Sequence, residues 1–424
     1  MALVCGTCGT ELHDGSSCVA CRAADGLMPA LPGAGPARVA VLAWLQPRAQ
    51  AALATGRLSL ILRTWRSITG TQQAEIADAL GYTTTYLSKI ENNRRDITNL
   101  ADRRRIADYL GLAPHVLGVT DEQSGDYRTM LEFGEATLRL AAVARNAGRP
   151  AAALNELWPL IQKLEDRVQH GYIDPGMVSL LARARSALGV YLGDILPAQG
   201  LAVSSRWTGR ALALTERLGD ADLHARALRS HGNELRKAGN LEGAIRRLRQ
   251  SAELAHNDLK PTVLTALARA AAEADAPELF DEVVADARRL ADTTAPSALF
   301  NGAIVAEVHL RGLLHLGRKR EAARILEVPI EGAAGSAPQW RAIAMITKGE
   351  VLAETGATED AARLLPQAVN EARACRLPQQ LQRIARLAKV SPSLEAIAMD
   401  SRTALGELAA AKPGTHDHRI PQQD

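Results

Sequence analysis

The chain has 424 residues, of which 47 % are hydrophobic and 23 % are charged, so its composition favours packed globular domains over wholesale disorder. Only 3 % of the residues are aromatic, which favours helices over a large β-sandwich. The formal net charge of +3 permits a nucleic-acid partner without demanding one. The apolar stretch near the start falls short of the ~20 residues of a membrane-spanning helix, and the N-terminus lacks the features of a secretory signal. We therefore expect a cytoplasmic protein that makes no membrane contact.

Four of the five cysteines lie within the first 21 residues, in the pairs Cys5-Gly-Thr-Cys8 and Cys18-Val-Ala-Cys21. Each pair can place two thiolates at a turn, and four thiolates form the tetrahedral site that Zn²⁺ accepts. The spacing resembles a small zinc ribbon over residues 1–25, followed by a linker rich in Pro and Gly at 26–38. Because a segment this short cannot bury a core, metal binding would supply its folding energy, and the Zn²⁺ would be structural. The alternatives are a disulfide pair or cysteines without a role.

Residues 57–119 carry apolar side chains at helical spacing, interrupted by short gaps, which predicts four or five short helices. Two helices that cross at a sharp angle need a small residue at the crossing, here Ala77, and a residue that tolerates left-handed backbone in the turn, here Gly81. Thr83 can cap the second helix, and Asn93 can end it. The apolar residues predicted to face back toward the crossing are Ile76, Leu80, Leu87 and Ile90.

These residues resemble the phage Cro/repressor-type (Xre) helix-turn-helix family. The matching segments are Gln73-Ala74-Glu75-Ile76-Ala77, Gly81, and Leu87-Ser88-Lys89-Ile90-Glu91-Asn92-Asn93-Arg94. Two departures are Tyr82, where the family usually has a small aliphatic residue, and Asn93, where it usually has Gly. Asn tolerates the left-handed conformation, so the geometry survives. We assign residues 39–120 to a helix-turn-helix DNA-binding domain.

The resemblance implies that residues 83–92 form a recognition helix whose N-terminal part enters the major groove of double-stranded DNA. On its outward face, Thr84, Thr85 and Lys89 are assigned to base edges. The residues assigned to the backbone phosphates are Gln73, Tyr86, Ser88, Arg94 and Arg95. The full set of predicted DNA-binding residues is Gln73, Thr83, Thr84, Thr85, Tyr86, Ser88, Lys89, Arg94 and Arg95. From residue 57 to 105 there are nine basic and five acidic residues (9 − 5 = +4), an excess larger than that of the whole chain.

One such domain covers only a few base pairs, so we expect a homodimer on an operator with two half-sites. The alternatives are a helical bundle with a chance pattern, or a fold that serves protein contacts.

From residue 126 to 408 the chain is rich in Ala, Leu and Arg, with helical periodicity. Gly200, Gly239, Gly317 and Gly356 are spaced 39, 78 and 39 residues apart, with Glu278 in the missing register. This period predicts repeated pairs of helices, with Gly in most of the turns. The units from Gly232 to Leu248 and from Gly349 to Leu365 are similar to tetratricopeptide repeats, although the usual period is about 34 residues. The alternative is a non-repetitive helical bundle, and residues 409–424 are predicted to form a disordered tail.

Arrays of this kind present a concave groove lined by the first helix of each pair. Arg226, Arg229, Asn233 and Arg236 share one helix face, and Glu307 and Arg311 occupy the matching face two units on. Clustered guanidinium groups suit an anionic ligand or an extended peptide. The alternative is a charged face in contact with solvent only.

The sequence thus predicts an all-α protein with a helix-turn-helix domain, an α-solenoid and a small zinc ribbon. No phosphate-binding loop, zinc-protease or nucleophile-elbow motif is present, so we expect no enzyme. The architecture resembles actinobacterial Xre-type regulators with a tetratricopeptide-like C-terminal half. This resemblance implies a nucleoid-associated transcriptional regulator whose repeat domain senses a peptide, a small molecule or a partner protein. The alternative is a protein-interaction adaptor in which the helix-turn-helix is vestigial.

Overall fold

The structure, a computed structural model, describes residues 3–4, 11–12, 43–119, 127–326 and 337–410. Helices dominate these ranges, which confirms the predicted all-α class. The exception is a pair of two-residue strands, β1 (Leu3–Val4) and β2 (Glu11–Leu12), which are antiparallel with Leu3 opposite Leu12. The four predicted zinc ligands and the 26–38 linker lie outside the described residues. The last helix ends at Ala410, so the first two residues of the predicted tail are helical.

Five short helices and one 3₁₀ turn form the helix-turn-helix domain. They are α1 (Pro47–Ala54), α2 (Leu58–Thr69), α3 (Gln73–Ala79), α4 (Thr84–Glu91), α5 (Leu100–Leu110) and the 3₁₀ turn Pro114–Leu117.

The core of this domain includes a residue that precedes its first helix. Trp44 is fully buried, and its indole Nε1 donates a hydrogen bond to the Leu110 carbonyl at 2.8 Å. Its ring stacks on Trp65 with 5.0 Å between the ring centroids. The segment before α1 therefore closes the core of the domain from the N-terminal side.

Fourteen further helices follow this domain in the described part of the chain. They are α6 (Tyr127–Asn146), α7 (Pro150–Gln169), α8 (Pro175–Ile195), α9 (Leu201–Thr215), α10 (Ala221–Lys237), α11 (Leu241–Leu254), α12 (Leu259–Glu273), α13 (Pro277–Thr293), α14 (Gly302–His315), α15 (Lys319–Leu326), α16 (Pro338–Glu354), α17 (Thr358–Ala374), α18 (Pro378–Arg386) and α19 (Glu395–Ala410).

The described residues divide into two compact units. The first contains the helix-turn-helix domain, Ala152–Tyr191 and Ala202–Ala255, together with α6 as far as Val143. The second contains Ala144–Ala151, Leu192–Leu201 and the chain from His256 onward.

Glycines at left-handed positions form several of the turns between paired helices. Gly239, Gly317 and Gly356 have φ angles of +86°, +71° and +90°, as the 39-residue spacing predicts. The register of Glu278 is different, because this residue lies inside α13 and the left-handed residue of that turn is Asp275, with φ +52°. Pro277 is pre-organised for the first position of a helix, so the turn falls just before it, and Asp tolerates left-handed backbone.

Close helix contacts explain the two glycines inside the first helices of the best-matched units. A Cβ on Gly232 would lie 2.7 Å from Leu248 Cγ, and one on Gly349 would lie 2.5 Å from Leu365 Cδ2. Both leucines are fully buried. In each of these two repeats, the absence of a side chain on the glycine lets the second helix pack directly on the first.

Candidate nucleic-acid interface

The turn between α3 and α4 has the geometry that its sequence predicts. Gly81 adopts φ +67°, and the Tyr82 amide donates to the Ala77 carbonyl at 2.7 Å. Thr83 caps α4, since its Oγ1 accepts a hydrogen bond from the Tyr86 amide at 3.2 Å. Asn93 has φ +56° and ends the recognition segment.

The two faces of α4 differ sharply in exposure. Leu87 and Ile90, the two residues of α4 predicted to face back, are at most 1 % exposed. The residues that they face across the turn are equally buried: Ile76, Leu80 and, at the crossing, Ala77. The three residues assigned to base edges, Thr84, Thr85 and Lys89, are exposed. Of the predicted phosphate contacts, Arg94 and Arg95 are exposed, and Gln73, Tyr86 and Ser88 are half-buried. Thr83, the remaining member of the predicted DNA-binding set, is exposed. The buried aliphatics therefore anchor the helix from behind while its polar face remains accessible.

A network that the sequence did not predict joins three helices behind this face. The carboxylate of Glu91 is nearly buried, and its Oε2 accepts hydrogen bonds from Arg66 Nη1 at 2.8 Å and Gln73 Nε2 at 2.7 Å. The amide nitrogen of Gln73 thus has a protein partner, so a phosphate contact through that atom would have to replace the bond to Glu91. The only signal in the sequence was a charged residue, Glu91, next to the buried Ile90.

A row of aromatic and cationic side chains runs along one edge of the domain. The rings of Tyr82 and Tyr86 have centroids 5.0 Å apart. The guanidinium carbon of Arg95 lies 5.1 Å from the Tyr86 centroid, and that of Arg105 lies 5.2 Å from the Tyr82 centroid. Guanidinium groups are attracted to aromatic faces at this distance, so the row orients Arg95 beside the recognition helix. Tyr82, one of the two residues that differ from the usual family pattern, contacts both Tyr86 and Arg105 in this row.

The helix-turn-helix domain packs directly on the turn between α7 and α8, within the first compact unit. The Ala113 amide donates to the Gly171 carbonyl at 3.0 Å, and the rings of His115 and Tyr172 lie 5.3 Å apart. Gly171 has φ +84°, and a Cβ there would lie 2.3 Å from the backbone carbon of Leu112. The domain is thus docked on a neighbouring helical hairpin by backbone contact.

The predicted ligand-groove residues lie on two helices that belong to different compact units. On α10, Arg226 is exposed and pairs with Asp222, whereas Arg236 is buried and donates to Asn233 Oδ1 at 3.3 Å. Arg229, on the same helix, is half-buried. This face is therefore partly packed, and not simply a solvated row of charges.

The other two groove residues, on α14, belong to a charge cluster that joins four helices of the second unit. Its members are Arg269 and Glu273 on α12, Glu307 and Arg311 on α14, Thr347 and Glu350 on α16, and Arg383 on α18. Glu307 is buried and accepts from Arg269 and, at 2.8 Å, from Thr347 Oγ1. Arg383 donates to Thr347 Oγ1 at 2.8 Å and to both oxygens of Glu350. Arg311 donates to Glu273 at 3.5 Å, which is longer than the ion pairs of Glu307 with Arg269 and of Glu350 with Arg383.

Electrostatics keep two carboxylates of this cluster, Glu307 and Glu350, ionised. Burial alone would raise the pKa of Glu307, but Arg269, Arg311 and Arg383 outweigh it and hold that pKa below its usual value. Burial alone would likewise raise the pKa of Glu350, but Arg383 outweighs it and lowers the pKa of that carboxyl. The cluster therefore persists as a set of charge-assisted hydrogen bonds.

Two features are absent from the described residues. Among them, no group of three or more His, Cys, Asp or Glu side chains is arranged to hold a metal ion. None of their helices combines the length and the apolar character that crossing a membrane requires.

A family model described as a helix-turn-helix domain matches residues 57–117. The matched range spans α2 to α5 and the 3₁₀ turn that follows them. No curated protein matches the chain significantly. The family match, the left-handed turn at Gly81 and the exposed polar face of α4 together support a helix-turn-helix DNA-binding regulator.

Proposed function

We propose that this protein is a sequence-specific transcriptional regulator of the Xre type, which reads an operator with the outward face of α4. The observation that carries the proposal is the division of that helix into a fully buried aliphatic side and an exposed side bearing Thr84, Thr85 and Lys89. Threonine offers a hydroxyl to base edges and a methyl group to thymine, and lysine donates to guanine. Arg94 and Arg95, exposed just beyond the helix, suit the flanking phosphates.

A gel-shift titration with DNA from upstream of the protein's own gene tests this assignment. The double variant Lys89→Ala/Thr84→Ala should lose at least tenfold in affinity, because a good base contact contributes about 1–3 kcal/mol. The matched control Lys348→Ala/Thr293→Ala removes the same two side-chain types from exposed positions on α16 and α13 and should bind as the wild type does. Equal binding by both double variants would refute this reading face. Absence of any salt-dependent DNA affinity would favour the adaptor function instead.

We also propose that the repeat helices sense an effector, a peptide, a small molecule or a partner protein. The charge cluster supports this proposal, since an anionic group could displace Glu273 from Arg311, with which it forms an ion pair of 3.5 Å. A thermal-shift screen of carboxylate and phosphate compounds should then find a compound that stabilises the wild type and not the Arg311→Ala variant. Stabilisation of both, or of neither, would contradict a site at Arg311.

The zinc ribbon stays a proposal that rests on the spacing of Cys5, Cys8, Cys18 and Cys21. The antiparallel pairing of Val4 with Glu11 is also consistent with it, because these residues flank the first cysteine pair. Four thiolates would hold Zn²⁺ as a structural ion. The purified chain should contain one Zn²⁺ per molecule, and a Cys5→Ser/Cys8→Ser variant should contain none.

A further inference from the structure

Three of the most exposed large apolar side chains in the described residues lie on one helix. On α6, Phe133, Leu140 and Val143 are 62 %, 66 % and 63 % exposed. With Ala136 and the exposed Thr129 they occupy positions alternately four and three residues apart. This is the spacing of a coiled-coil seam, which keeps one stripe of a helix facing a partner helix.

The opposite side of α6 is firmly attached to its own unit. Thr137, Leu138 and Ala141 are buried, and a Cβ on Gly134 would lie 2.5 Å from Leu180 Cδ2 on α8. Arg183, also on α8, donates to Glu135 at 2.8 Å. The stripe is therefore presented by a helix whose orientation is fixed, and it lies in the same compact unit as the helix-turn-helix domain.

Charges beside the stripe fit a second copy of the same helix. Glu132 and Arg139 are both exposed and lie seven residues apart along one flank of the seam. In an antiparallel pair of α6 helices, a register that places Phe133 against Ala136 of the second copy also brings Glu132 beside Arg139 of that copy. A two-fold axis makes each of these contacts occur twice, so the surface is complementary to itself.

We propose that the α6 stripe is the homodimer interface of this protein, formed by antiparallel packing of two copies. The proposal rests on the proposed function in one respect: two half-sites on an operator require a two-fold dimer. A contact of one helix per copy is small, so the free dimer should be weak, and binding of both copies to adjacent half-sites should strengthen it through effective concentration.

Sedimentation velocity of the full chain, without DNA, over a range of concentrations tests the interface separately from DNA binding. The wild type should shift from monomer to dimer, and Leu140→Glu should weaken association at least tenfold. The control Met399→Glu introduces the same charge at a residue of α19 that is 58 % exposed, and it should leave association unchanged. Circular dichroism should show the same helix content in all three proteins.

Charge reversal tests the orientation. Glu132→Arg alone and Arg139→Glu alone should each weaken the dimer, and the double reversal should restore it. A wild-type chain that stays monomeric at about 100 µM would overturn the proposal, since even weak specific interfaces associate there. So would a dimer that Leu140→Glu does not affect, because another surface would then hold it. If the wild type forms the dimer but gives no gel shift, the DNA-binding function is refuted and the proposed interface is not.

Discussion

The carboxylate of Glu91 ties three helices of the DNA-binding domain together at a single point. It receives hydrogen bonds from Arg66 on α2 and Gln73 on α3, while Glu91 itself ends the recognition helix α4. Because the carboxylate is nearly buried, removing its charge leaves its two donors with a single neutral acceptor and weakens both hydrogen bonds. The orientation of α4 therefore depends on a buried side chain that lies away from its exposed face.

Replacing this carboxylate should lower the stability of the domain without changing the exposed face of α4. Glu91→Gln should reduce the local stability of residues 57–117 by about 1.5–3 kcal/mol, the range for a hydrogen bond to a charged group. Hydrogen exchange of the amides in α2 to α4 measures this loss. The control Asp78→Asn removes an exposed carboxylate from α3 and should change exchange by less than about 0.5 kcal/mol. Equal exchange in both variants would contradict a stabilising role for Glu91.

Residues with special backbone needs were predictable, and pairings across space were not. Gly81 and Asn93 could be placed because few residue types tolerate left-handed backbone, and both adopt it. The bond from Gln73 to Glu91 could not be foreseen, since 18 positions separate the two residues and nothing in the helical period brings them together. For the same reason the contact of Trp44 with Leu110 lay outside any sequence pattern.

At the scale of elements, the junction between the helix-turn-helix domain and the α7–α8 turn tolerates no side chain at Gly171. Gly171 combines a positive φ with backbone atoms of Leu112 and Ala113 within 2.4 Å of any added Cβ. A side chain there would meet strain and a clash with main chain, which cannot rotate away. The docking of the domain on this hairpin therefore requires glycine at this position.

A pair of substitutions separates the backbone strain at Gly171 from the clash with the main chain of Leu112 and Ala113. Gly171→Ala should lower the melting temperature and expose the connection between the domain and α7 to limited proteolysis, with a loss of more than about 2 kcal/mol. Gly219→Ala, also at positive φ (+69°) but with no atom within 4 Å of the added Cβ, should suffer only the conformational strain of about 1 kcal/mol. If the two variants melt and digest alike, the backbone contact at Gly171 does not hold the domain in place.

The repeat helices show which part of an element follows from its sequence. The close contacts at Gly232 and Gly349 recur where the 39-residue pattern repeats, because the pattern records the packing of small residues on large ones. The register at Glu278 is misplaced, because Asp275 takes the left-handed position that Gly239, Gly317 and Gly356 take in their turns and leaves no glycine signal. The sequence predicted only part of the charge cluster. Glu307 and Arg311 could be singled out, because they share a helix. Thr347, Glu350 and Arg383 lie on other helices, and the sequence period does not determine how those helices align with α14.

At the scale of the whole molecule, stability should depend on two buried histidines, one in each compact unit. His231 is 1 % exposed on α10, where burial and the nearby Arg247 lower its pKa to about 3. On α14, burial and Arg288 lower the pKa of His309 to about 4, and Arg288 Nη2 donates to its Nδ1 at 2.6 Å. Both rings are therefore neutral in the folded chain at neutral pH.

Mild acid should consequently destabilise the fold through these rings. An unfolded histidine, with a pKa of about 6.5, takes up a proton on acidification before the buried ring does, so protons favour the unfolded chain between pH 6.5 and about 3. The contribution of His231 is complete above pH 6.5 and is lost as the pH falls toward 3. At pH 5 the loss should be about 2 kcal/mol, from 1.5 pH units at 1.36 kcal/mol each. Thermal melting at pH 7 and pH 5 should show a smaller drop for His231→Gln than for the wild type, whereas His256→Gln, at an exposed position, should behave as the wild type. If the melting temperature drops equally in all three proteins, protonation of other groups governs acid unfolding. His231 would then take up its proton in the folded chain as readily as in the unfolded chain.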